Sequence, residues 1–273
     1  MKRRLACMGL AIVMCMSLCS TAFAANPNSI DEVLLQRGIP QQILDRMSDD
    51  TKEHVYNNPS LEYGSSMCMS FNEETGDYSD PTIVNPASEH IPDDDLDLTF
   101  SFFYDTNGNK INTIEVTFDY NWNKLPAFRW SDPIAVSWDD AKLRFVPDSF
   151  MKKDYVQYRD DDTGLLLAPK LKESSQSPLS TSEAGISWEA NLGGHSPIMT
   201  TVALYGNAVF ELEPQPELVP MKSIDTTIHA KYVHPQVAVA MSIAVPKFGS
   251  FTVNGTGLYQ SMAEAEYIKK TLR

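Results

Sequence analysis

Past position 19 the chain holds one cysteine, Cys68, so once an N-terminal leader is removed no disulfide can form within it and the fold must rest on a hydrophobic core. Basic residues are scarce as well: 22 Lys and Arg stand against 36 Asp and Glu. Nucleic acid and anionic lipid both reward clustered cations and are disfavoured as partners. No apolar run beyond the leader approaches the roughly 18 to 20 residues of a spanning helix, so no transmembrane segment is expected. The five histidines show no zinc-enzyme spacing, and His229 and His234, five apart in a strand-like stretch, fall on opposite faces. Gly194-His-Ser-Pro-Ile198 has the outline of a hydrolase nucleophile elbow. It ends in Ile where the backbone needs a small residue, and it runs on into a strand, so no nucleophile is read from it.

What is present starts with an export signal. Lys2, Arg3 and Arg4 precede an apolar stretch from Leu5 to Leu18 and the small-x-small pattern Ala22-Phe-Ala24, predicting a secreted protein cleaved after Ala24. Cleavage leaves 249 of the 273 residues, with 19 basic against 36 acidic side chains and a formal charge of −17. A chain of that length buries enough apolar surface to fold without staples.

The strongest local signal lies between Leu98 and Trp138. Ile114, Val116, Phe118, Tyr120 and Trp122 recur at every second residue, with polar residues between them, and Leu98, Phe100 and Phe102 alternate in the same way. Asp105-Thr-Asn-Gly-Asn-Lys110 joins the two as a hairpin turn. An odd loop, Asn107 to Asn109, keeps both apolar sets on one face and predicts Phe102 opposite Ile114, Phe100 opposite Val116 and Leu98 opposite Phe118. Further alternating runs follow at 134–138, 142–146, 154–159, 186–188, 202–212, 228–232, 237–245 and 251–253. With no crossover helix between strands, the pattern predicts a mainly β fold: an antiparallel β-sandwich with a short N-terminal helical arm and a C-terminal helix.

The arm, residues 25–58, is predicted from a capping box at Ser29 and Glu32, from Pro40 at a helix start, and from Ser48-Asp-Asp opening a helix that stops at Asn58-Pro59. Either it packs on the β-domain or it is a docking segment or pro-segment. Residues 59–94 read as an irregular connection with one short strand at 67–71. Residues 95–273 form the β-domain, as one unit or as two halves divided near 173–183. Ser261 and Glu264 form a second capping box that predicts the closing helix, with Met262, Ala265, Ile268 and Leu272 on one side. Arg37-Gly-Ile-Pro40 with Leu44-Asp-Arg-Met47, and Gly185-Ile-Ser-Trp188 with Ile228 to His234, resemble uncharacterised secreted proteins of Gram-positive bacteria. That resemblance brings no activity with it.

Two constellations carry chemistry. Phe128, Arg129, Trp130 and Asp132 fall in the connection 123–133, where exposed rings beside charges stack on sugars or anchor a partner; the alternative is that the loop folds back over the sheet edge. Asp93, Asp94 and Asp95, and Asp160, Asp161 and Asp162, supply the oxygen ligands calcium takes, or are solvated turns. No other cofactor is implied. Cys68 has no motif partner and reads as a small buried filler. The expected function is a non-enzymatic module binding a cell-surface polysaccharide or an extracellular protein. A hydrolase using paired carboxylates and a membrane-active toxin with amphipathic hairpins are the rivals.

Overall fold

The computed structural model describes residues 29–72, 82–84, 95–108, 110–193, 198–236, 240–256 and 259–271. The predicted export signal lies outside them. Alternation of apolar and polar residues writes most of the architecture. In β3 (Leu96–Asn107) and β4 (Lys110–Trp122), the even-numbered residues from Leu96 to Tyr104 and from Ile114 to Trp122 all point into one hydrophobic core. The two strands pair in an antiparallel hairpin, with Phe102 opposite Val116, Phe100 opposite Phe118 and Leu98 opposite Tyr120. The predicted face is right and the predicted register is two residues off. The strands close one residue tighter, Asn107 opposite Lys110, and a bulge between Asp105 and Thr106 supplies the second residue of slip.

Two antiparallel sheets enclose this core. The larger runs β2 (Thr82–Val84), β1 (Leu61–Phe71), β3, β4, β11 (Met199–Pro214), β7 (Met151–Asp160) and β8 (Lys170–Ser175), with β6 (Leu143–Phe145) also on β11. The smaller runs β15 (Tyr259–Thr271), β12 (Ser223–Pro235), β5 (Ser131–Trp138), β10 (Gly185–Asn191) and β9 (Ser180–Ser182). Phe100, Phe118 and Phe210 from the first meet Ile134, Trp138, Trp188 and Tyr232 from the second, so the fold is the predicted sandwich. In the larger sheet β11, from after residues 173–183, lies between strands from before them, and in the smaller sheet β5, from before them, lies between β12 and β10. Residues 61–71, expected to be mostly irregular, form a full strand, bulged at Gly64, where a Cβ would strike the Tyr104 ring.

The closing helix is a further correction. Residues 259–271 form strand β15, paired with β12 along its whole length. A capping box adds about 1 kcal/mol, whereas the strand satisfies an open sheet edge over thirteen residues. Tertiary pairing overrides the local signal.

An outer layer covers each sheet. The hairpin of β13 (Ser242–Lys247) and β14 (Ser250–Asn254) sets Met241, Ile243 and Val245 on Ala135 and Val233 of the smaller sheet. On the larger sheet lies the arm, as α1 (Ile30–Gln36), α2 (Gln41–Leu44) and α3 (Asp49–Asn57), packing Leu34, Ile43, Leu44 and Val55 against Cys68 and Phe103. The Ser29 capping box forms, and Ser48 caps α3 through the Thr51 N–H. Most of the sheet face under the arm is polar: Ser66, Ser70, Asp97, Thr99, Ser101, Glu115, Thr117 and Asp119 are all buried there. Polar contacts therefore fasten the arm, among them His54 to Glu115 at 2.7 Å, Arg46 to Asp97 at 3.2 Å and Lys153 to Asp50.

Candidate functional site

One end of the sandwich gathers most of the residues that the sequence nominates. There β1 and β4 finish, β5 begins, β12 and β10 finish, and β11 begins beside the end of β7. Asp132 is the second residue of β5 and shares the inward parity of Ile134, Val136 and Trp138. It is fully buried. Its carboxylate accepts the Tyr232 hydroxyl and lies 2.9 and 3.1 Å from Nδ1 of His234, which is itself fully buried against Trp122, with ring centroids 5.0 Å apart. Burial raises the Asp132 pKa, and His234 and Tyr232 oppose the rise by stabilising the charged form. A carboxylate on Nδ1 and an unpartnered Nε2 are the parts of a general base. With both groups sealed from solvent, the trio works instead as a polar pin joining β5 to β12. Asp132 is thus withdrawn from the ligand-binding set.

The rest of the nominated loop points outward. Leu125 packs on the core and Pro126 is buried, while Phe128 is 40 % and Trp130 49 % exposed. The backbone that holds them is tied down, because Lys124 N–H donates to Asp95 O at 3.2 Å and Leu192 N–H to Trp130 O at 2.9 Å. Arg129 donates to Pro126 O at 3.5 Å and is half-buried. Two large rings thus each leave somewhat under half of their surface exposed on an ordered support.

The same end carries apolar residues that the sequence reading missed. Between β7 and β8, Leu165, Leu166 and Leu167 form an exposed tip, Leu165 at 64 %, and Ile198 at the start of β11 is 70 % exposed. The tip is built by turn chemistry: Asp160 accepts from the Asp162 and Thr163 N–H groups at 3.1 and 2.7 Å and from the Thr163 hydroxyl at 2.7 Å, and Gly164 takes φ 69°. Three consecutive leucines between a glycine and Pro169 were the available signal. Such a run inside a turn has no core to enter.

This geometry also engages two of the acids proposed for calcium, Asp160 and Asp161. The Thr163 bonds lower the Asp160 pKa, and Asp161 accepts the Thr200 hydroxyl at 2.7 Å. Asp95 faces Lys124 at 3.6 Å, and Asp93 and Asp94 lie outside the described residues. Among the described residues no group of three or more His, Cys, Asp or Glu is placed to hold a metal ion. A further polar network, on the inward side of β7, is internally satisfied: Lys152 contacts Asp154 at 2.9 Å and Glu173 at 2.8 Å, and Asp154 accepts the Tyr120 hydroxyl at 2.9 Å. Cys68 is buried as expected, and burial pushes its thiol up to about 11.

No family model matches the chain, and no curated protein matches it. Among solved structures, AvmM, described as catalysing macrocyclization in alchivemycin A biosynthesis, is similar at 14 % identity over 59 % of this chain and 89 % of its own, with a TM-score of 0.22. A likeness at that score carries no argument about fold or activity.

Proposed function

We propose that the protein is a secreted, non-enzymatic binding module whose ligand is an extracellular protein, gripped at the end of the sandwich that presents Phe128, Trp130, Leu165, Leu166 and Ile198. The observation that carries this reading is the partial exposure of Trp130 and Phe128 on a backbone hydrogen-bonded to Asp95, just before β3, and to Leu192, just after β10. Exposed aromatic anchors on a rigid support are what interface hot spots are made of, and little ordering entropy is lost when they are covered. The leucines favour protein over polysaccharide. Aromatic rings stack on sugars, but aliphatic side chains beside them reward only an apolar partner. Secretion rests on the N-terminal signal pattern.

The test compares the protein with Trp130→Ala and Leu166→Asp variants in binding to extracellular proteins and to purified cell-wall polysaccharide. Protein binding should weaken by about 1 to 3 kcal/mol in each variant, with the melting temperature nearly unchanged. Retention on polysaccharide that is lost in Trp130→Ala but kept in Leu166→Asp would overturn the choice of partner.

A further inference from the structure

A second feature borders that end, where the arm meets the outer face of the larger sheet. A cleft of about 920 Å³ is lined there by Asp45, Arg46, Asp49, Asp95, Asp97, Asp119 and Tyr205, among others. Five carboxylates share it with one guanidinium. Arg46 is held by Asp97 at 3.2 Å, and Asp95 faces Lys124 at 3.6 Å. Asp45 and Asp49 are exposed at the rim.

Asp119 differs from the other four. It is 2 % exposed, and its Oδ1 accepts the Ser48 N–H at 2.9 Å and the Thr51 hydroxyl at 2.8 Å. All its donors are neutral. Its Oδ2 is buried without a hydrogen-bond partner, as are Thr117 Oγ1 on the same strand face and Oδ1 of Asn207, the residue opposite Asp119 on β11. A buried carboxylate without a counter-charge is costly, and it is relieved by a proton or by a cation. The acidic rim concentrates cations at this position.

We propose that this cleft binds an organic cation, an ammonium or guanidinium group that pairs with Asp119. Two arguments separate this from a metal site. No three metal-ligating side chains converge among the described residues, whereas an ammonium needs one carboxylate and two further acceptors. The cleft volume also falls in the range that encloses a small organic molecule, and the Tyr205 ring, stacked on Tyr155 with centroids 5.4 Å apart, offers a face for a cation. The cation arrives free, as an oligoamine, or on a polypeptide, as a lysine or arginine side chain.

The test is calorimetric titration of the protein at pH 7.5 with spermidine, with an acetylated and amidated tri-lysine peptide, and with calcium chloride. At least one amine should bind, Asp119→Asn should weaken it tenfold or more, and Asp49→Asn should weaken it about threefold. Asn is close in shape and can donate to Asn207 Oδ1, so the first variant should fold; Asp49 is exposed, so the second folds in any case. Spermidine binding without peptide binding identifies a free amine, and the reverse identifies a polypeptide; either supports the proposal. Absence of amine binding, equal binding by both variants, or tighter binding of calcium than of either amine would overturn it. Trp130→Ala should bind the same amine normally, so failure here is independent of the protein-binding reading.

Discussion

Replacing Asp132 by Ala removes one small side chain but takes a contact from each of two buried partners. Tyr232 Oη and His234 Nδ1 both meet that carboxylate, and both residues are sealed in the core. Each orphaned polar group costs about 1 to 3 kcal/mol, and breaking a buried ionisable pair by deleting one member costs about 3 to 5 kcal/mol. The variant should therefore lose about 4 kcal/mol. For a chain of this size that corresponds to a melting temperature lower by about 8 to 16 °C. Asp132→Asn keeps one acceptor and should lose about half as much. Thermal melts and urea unfolding on both variants read the difference. A loss below about 1 kcal/mol in Asp132→Ala would refute the pin, and a selective loss of ligand binding with intact stability would return Asp132 to the binding surface.

The arm should grip the sheet less firmly as pH rises. Burial lifts Asp119 to about 6, so the folded state holds a proton that the unfolded chain releases near 4; stability should fall by about 2 kcal/mol between pH 4 and 6, and Asp119→Asn should flatten that slope in pH-dependent melts. The hydrogen bond to Glu115 raises the His54 pKa, so its stabilising contribution is complete below 6.5 and is lost as pH rises through the folded value; His54→Gln should remove that part of the slope. Cys68, buried and with its thiol pushed up to about 11, should resist thiol reagents in the native protein at pH 7.5 and react only on unfolding. Leu165→Asp should leave the unfolding free energy within about 0.5 kcal/mol of wild type in urea melts, because its side chain already faces water.

Period-two patterning carried the fold far. It put Ile114 to Trp122 on the core face, buried Trp122 and Trp138, and separated His229 from His234. It stopped short wherever a long-range pairing decided the outcome. The two-residue register error came from a bulge, which no propensity announces, and the closing helix became a strand because β12 offered an unpaired edge. Asp132 was misjudged for a different reason. Its parity with Ile134 and Val136 was legible, but a buried acid is credible only beside a partner, and Tyr232 and His234 lie a hundred residues away in the chain. The cleft under the arm was not legible at all. Its acids come from the end of α2, the N-terminus of α3, the start of β3 and β4, and the arm and the sheet bring them together only by packing on each other.

The most direct measurement of the central claim is hydrogen exchange on the protein alone and in complex with any extracellular protein that it retains. Binding at the apolar end should slow exchange in residues 123–130 and 161–167 and leave the arm and the β13–β14 hairpin unchanged. Protection confined to the arm or to that hairpin, or none at either loop of the apolar end, would contradict it.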